Sequence, residues 1–212
     1  MKHLLVTLCG FAVLATLALN GCAAKEAAQT PAEETRTVNA IVVMPVEIIP
    51  ADDQKRSAAD EADLAKGSIV LDSLLAEYLA GKPNVRFMSA AERDTLGDKS
   101  FARCRTSAAI TICQQVGGEA VLIVTLNRYR ERLGNEYSVV HPASVAFDYK
   151  LLEAGSGRTL CAGVFDEAQQ PLSENILDFF KFSKRGGKWI TGETLAREGL
   201  QQKLANCPFL KK

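Results

Sequence analysis

Histidine is almost missing from this chain: its 212 residues include two, His3 and His141, and a single tryptophan, Trp189. A Ser-His-Asp or Cys-His relay would have to be built around His141, which precedes Pro142 and reads as a loop or strand-bend residue rather than a base. No Gly-x-Ser-x-Gly elbow occurs. In "KRGGKWI" Trp189 stands where a phosphate loop needs Ser or Thr, and Phe182 stands where that loop needs its first glycine. There is no Cys-x-x-Cys pair, and with so little histidine no zinc site is expected. Lys and Arg number 25 against 25 Asp and Glu, so the formal charge is +0 and there is no basic footprint for nucleic acid. Carboxylates are plentiful, and Asp166-Glu167 are the most suggestive. Neighbouring acids on an extended chain point to opposite sides, however, and do not converge on one bond. Beyond Leu19 no apolar run approaches membrane-spanning length. No catalytic residue, metal ligand or cofactor is expected, and the chain does not read as an enzyme.

What is present begins with an address. Lys2 and His3 form a short polar start, and the run from Leu4 to Leu19 is apolar but short for a membrane span. Asn20 and Gly21 end it. Leu19-Asn20-Gly21-Cys22 resembles the lipobox of bacterial lipoproteins. That resemblance implies cleavage before Cys22, a diacylglycerol on its thiol and an acyl group on the new amino terminus. Ala23, where aspartate would signal retention, implies transfer to the outer membrane. The expected organisation is a signal peptide over 1–21, a lipidated flexible tether over 22–37 and one globular domain over 38–212. The stretch "AAKEAAQTPAEETRT" holds no large apolar side chain and reads as linker, spanning about 20 Å on average and about 50 Å at full stretch. A domain anchored by several acyl chains stays on the membrane while remaining outside it. The expected location is the periplasmic face of the outer membrane.

With 47% hydrophobic residues the chain can build one compact core. "VNAIVVMPVEIIP" reads as a strand covered on both faces, with Pro45 marking its exit. A polar loop at 51–62 precedes "LAKGSIVLDSLLAEYLAG", where Val70, Leu71, Leu74, Leu75, Tyr78 and Leu79 form a helical stripe closed by Gly81. "NVRFM" is a short strand, and Ser89-Ala90-Ala91-Glu92 is a capping box that opens a second helix. "SAAITICQQVGG" is a third helix, leading into the strand "AVLIVTLNRYRER", which turns polar at its exit. "SVAFDYKLLEA" and "RTLCAGVF" flank a Gly-Ser-Gly turn as paired strands. Helical segments follow at 176–182 and 191–206. The expected class is α/β (α+β): a single mixed sheet packed by helices, in the order β-α-β-α-α-β-β-β-α-α.

"AIVVMPVEI", "NVRFMSAAERDTL", "ITICQQVGGEAVLIVTLNRY" and "FDYKLLEAGSGRTLCAGVF" resemble, in order, the family around the curli-secretion lipoprotein CsgG and the amino-terminal domain of TolB. The resemblance covers most of 38–166 and implies a fold of that type and a non-enzymatic assembly or docking role. Cys161 departs from it, because such relatives often carry tryptophan there.

With Cys9 lost and Cys22 lipidated, Cys104, Cys113, Cys161 and Cys207 remain, and an oxidising compartment allows them three connectivities. Cys104 with Cys113 is the favoured pair, joining the loop ahead of the third helix to its second turn. Cys161 with Cys207 would then tie the returning strand to the last helix end, with buried free thiols as the alternative. For a partner surface, "ILDFFKFSKRGGKW" supplies Phe179, Phe182, Arg185 and Trp189, aromatics beside arginine as in interface hot spots. The alternative is that these apolar positions cover a sheet. The expected partners are the membrane, through the lipid, and an envelope protein, the alternative to docking being a small-molecule binder or hydrolase with a cleft at the edge of the α/β sheet; the oligomeric state is left open.

Overall fold

A computed structural model describes residues 37–49, 56–97, 105–169, 183 and 185–211. The chain divides into two units, Met1–Arg36 and Thr37–Lys212. The second is a mixed sheet with helices on both faces. Its elements are β1 (Ile41–Val43), β2 (Glu47–Ile48), α1 (Ala58–Leu79), β3 (Val85–Phe87), α2 (Ala90–Leu96) and α3 (Arg105–Gln115). There follow β4 (Ala120–Arg130), β5 (Leu133–Gly134), β6 (Val139–His141), β7 (Ser144–Glu153), β8 (Thr159–Ala168) and α4 (Gly192–Leu204). The α/β class expected from the sequence is the one observed.

The strand order is β3-β1-β4-β7-β8, with β2 continuing the line of β1 beside β4. The β3-β1-β4 part is parallel and the β4-β7-β8 part antiparallel. The connection through α1 carries the chain from β1 to one neighbour, and the connection through α3 returns it to the other. Leaving in opposite directions, two crossovers of one hand place α1 and α3 on opposite faces of the sheet. On the first face α1 and α4 bury Leu71, Leu75, Tyr78, Leu195, Leu200 and Leu204 against Ile41, Leu122, Val124, Leu126, Phe147 and Leu151. Each such aliphatic contributes roughly 1.5–3 kcal/mol by leaving water. On the second face α3 packs Ala109, Ile112 and Cys113 onto Val42, Met44, Val121, Ile123 and Leu152. Two glycines set the helix heights on the first face. A Cβ on Gly67 would stand 2.4 Å from the Tyr129 ring, and one on Gly199 would stand 2.7 Å from the Phe165 ring.

Local chemistry explains where the elements begin. The capping box at Ser89 is formed in both directions: Glu92 N–H donates to the Ser89 hydroxyl, and Glu92 accepts from Ser89 N–H. Thr191 caps α4 in one direction, its hydroxyl accepting from Thr194 N–H. α1 starts well before the expected 64, because Ser57 accepts from Asp60 N–H and Asp60 and Glu61 stabilise the positive end of the helix, so half of the expected polar loop is helical. The expected first strand is two, because the stretch Met44-Pro45-Val46 breaks the ladder. The hairpin β5–β6 was not expected. The helix expected at 176–182 lies outside the described residues.

Cys161 and Cys207 are joined in a disulfide that closes 46 residues of sequence. The favoured pairing of Cys104 with Cys113 is corrected: Cys113 is a free, buried thiol, and Cys104 lies outside the described residues. The reason is the stripe Ala109, Ile112, Cys113 at three- and four-residue spacing, which turns the sulfur into the sheet. Burial pushes this thiol up to about 11.

Candidate functional site

β4 contains one residue too many for its partner. Leu126 pairs with Phe147 and Arg128 with Ala146, so Asn127 is a bulge, its amide donating to Asp148 Oδ1 at 3.0 Å. The extra residue exchanges the strand's two faces. Leu122, Val124 and Leu126 point toward α1, and beyond the bulge it is Tyr129 that does so, while Arg128 and Arg130 share the other side. Arg128 donates to Ser144 Oγ and to Asp166, and Arg130 reaches Asp60 at 3.2 Å. Asp60, Arg128, Arg130 and Asp166, with Arg56, Leu64, Val164 and Phe165, line a cleft of about 320 Å³ at this end of the sheet. Three guanidinium groups against two carboxylates, over an apolar floor, suit a small anion with an apolar part.

Beyond β4 the chain is locked to α4. Glu131 Oε1 accepts from Gly192 N–H at 2.7 Å and from Arg132 N–H at 3.0 Å, and Oε2 accepts from the Tyr129 hydroxyl at 3.3 Å. Burial pushes the Glu131 carboxyl up, but these hydrogen bonds and the Lys66 charge outweigh it and hold it below its ordinary value. Burial, with the Glu131 charge beside it, raises the Tyr129 phenol far above its ordinary value.

From this lock the β5–β6 hairpin projects. Leu133 is 57% exposed, Tyr137 70% and Val140 71%. Asn135 Oδ1 accepts from the N–H groups of Tyr137 and Ser138 and shapes the tip, and a Cβ on Gly134, at φ 124°, would stand 2.4 Å from the Ser138 carbonyl oxygen. Trp189 N–H donates to Glu136 C=O at 2.8 Å, Lys188 pairs with Glu136 at 3.1 Å, and the Lys188 ammonium stands 5.4 Å over the Tyr137 ring. Sequence reading missed this hairpin, although "ERLGNEYSVVH" holds its signal: a Gly-Asn turn between short apolar pieces.

Of the expected partner-binding residues, the structure places Trp189 beside the hairpin, partly buried. Arg185 does not present its charge to solvent. It is 13% exposed, with its guanidinium shared between Glu167 at 2.9 Å and Glu198 at 2.5 Å. It therefore pins the 185–187 turn to β8 and α4. Phe179 and Phe182 lie outside the described residues, as does Cys22. His141 is exposed on β6. Among the described residues no group of three or more His, Cys, Asp or Glu is placed to hold a metal. Among them also, no helix is long and apolar enough to cross a membrane.

Neither a protein-family model nor a curated protein matches the sequence. Solved structures of similar outline come from bacteria. The PelC dodecamer from Paraburkholderia phytofirmans matches with a TM-score of 0.46 at 11% identity, over 82% of this chain and 89% of that one. Lipoprotein GNA1162 from Neisseria meningitidis matches at 0.40 and 18% identity, over 70% and 95%. The LpoB C-terminal domain from Salmonella enterica matches at 0.35 and 14%, over 64% and 87%. At these identities and scores no role is carried across.

Proposed function

We propose that this chain is a non-catalytic lipoprotein of the bacterial envelope, anchored through Cys22 on the periplasmic face of the outer membrane, that docks a protein partner through the β5–β6 hairpin and Trp189. One observation carries the reading: Leu133, Tyr137 and Val140 stand exposed on a single hairpin beside a tryptophan, where they add nothing to the core. Clustered exposed apolar side chains of this kind mark interaction surfaces. Position supports it. Thr37 enters beside the start of β4, and the hairpin leaves its end, 11 residues on. At about 3.3 Å per residue the two points lie about 35 Å apart, so the hairpin stands at the end of the sheet opposite the chain's entry before β1. Arg185 serves by positioning the turn before Trp189. Phe179 and Phe182 stay in the proposal on sequence grounds, as does kinship with the CsgG and TolB amino-terminal group.

The test is Tyr137→Ser combined with Val140→Asp, followed by cross-linking and capture from intact envelopes. Loss of the captured protein with an unchanged melting temperature supports docking; the same protein captured at wild-type yield ends it. Cys22→Ser is expected to move the protein out of the membrane fraction. A second reading, a small-molecule binder, is favoured by the arginine-lined cleft, and calorimetry with small carboxylates and phosphates on Arg128→Ala checks it.

A further inference from the structure

Charge in the cleft at the end of β4 does not balance, and the surplus belongs to one residue. Arg128 is paired with Asp166, and Arg130 with Asp60 at 3.2 Å. Arg56, the third guanidinium of the lining, has no carboxylate partner among the described residues. It donates from Nη1 to Ile49 C=O at 2.6 Å, one of the five N–H bonds a guanidinium can make, and the edge formed by Nε and Nη2 is unused among those residues. The Ser57 hydroxyl and Arg130 hold the Asp60 carboxyl below its ordinary value, so it is ionised at neutral pH and balances Arg130. Arg56 directly precedes Ser57, the N-cap of α1, so the positive end of a 22-residue helix adds to its field. The rest of the lining is partly apolar, with Leu64, Ala146, Val164 and Phe165 bordering the same space. Val164 is 64% exposed and gives an apolar chain a surface to cover.

We propose that the cleft binds a free organic acid of one negative charge with a short apolar chain, its carboxylate on Arg56. The proposal rests on the small-molecule reading of the cleft and narrows it. One surplus guanidinium matches one carboxylate, and the edge formed by Nε and Nη2 presents two parallel N–H donors to its two oxygens. A second negative charge on the ligand would meet Asp60 and Asp166 with no cation left to balance it. Volume sets the size: at roughly 30 Å³ for each non-hydrogen atom, 320 Å³ holds about ten, a carboxylate and about seven further carbons. Octanoate has this size, whereas a two-chain lipid does not fit.

Calorimetry of the full-length chain in mild non-ionic detergent at pH 7, with a detergent-only titration subtracted, is the test. Octanoate is expected to bind, and octanamide, acetate and octanedioate to bind at least about tenfold more weakly. Arg56→Gln should weaken octanoate about tenfold, Arg56→Glu should abolish its binding, and Arg56→Lys should stay within about threefold of wild type, with the melting temperature unchanged in each. Acetate or octanedioate bound as tightly as octanoate, or displacement of octanoate by phosphatidylglycerol vesicles, would overturn the proposal. Binding lost in Arg128→Ala but unchanged in Arg56→Glu would overturn it while leaving the cleft a ligand site. Binding of none of these acids would overturn both it and the small-molecule reading.

Discussion

The two faces of the sheet carry similar strands under different cover. On one, α1 and α4 lie side by side and the apolar layer continues from Ile41 on β1 to Phe165 on β8. On the other, α3 covers β1, the first half of β4 and Leu152 near the end of β7, and no more of the sheet. The uncovered remainder carries Asp148, Lys150, Val164 and Asp166, a mixed surface fit for water or a partner. Each strand alternates the same way on both sides; what differs is the helix above it. Stability should therefore concentrate on the doubly covered face, leaving the other free to vary.

Four substitutions probe that contrast. Cys207→Ala, which opens the seal over the covered face, should cost about 4 kcal/mol on the chain-entropy estimate for a loop of this length, read by urea unfolding. Leu75→Ala, beneath both helices, should cost about 3 kcal/mol, while Val164→Thr on the open face should stay within about 0.5 kcal/mol. Equal losses would mean that the open face is not open. Arg185→Ala removes the guanidinium shared by Glu167 and Glu198 and should cost about 2 kcal/mol, with a lower melting temperature.

One further substitution should be a gain, on the α3 side. Glu47 Oε1 is buried with no hydrogen-bond partner among the described residues, and Oε2 stands 3.6 Å from Arg105. Burial raises its carboxyl above the ordinary value, and the charges of Arg105 and Arg93 offset this only in part. Asp72 on α1 is raised as well, by burial, although Val46 N–H donates to it. A carboxyl raised on folding contributes its full stability below the unfolded pKa and loses it as pH rises through the folded value. At pH 7 the ionised group is therefore a cost. Glu47→Gln should add about 1 kcal/mol there, and the gain should vanish as pH falls through the ordinary carboxylate range. Denaturant titrations at pH 7 and pH 4 decide it.

Sequence made the fold legible where a local rule had one answer: the capping box at Ser89, the paired glycines before β4, the turn between β7 and β8. It misled where the deciding partner was distant. The Cys113 stripe told which way the thiol faced, yet spacing to Cys104 suggested a bond. Arg185 beside aromatics looked like a surface hot spot, because nothing nearby in sequence announces Glu167 or Glu198. The hairpin was hidden because strands of two and three residues show no alternation.

Asn127 has a consequence for how this chain tolerates length change. The strand is read in two frames, one before that residue and one after it. Removing Asn127 would not shorten a loop; it would transpose interior and exterior for the three residues that follow, setting Arg128 and Arg130 under α1 and the Tyr129 phenol on the far side. A homologue lacking this position must therefore spell the next residues in the opposite polarity, apolar where this chain has Arg128 and polar where it has Tyr129. A homologue that keeps the spelling must keep the extra residue.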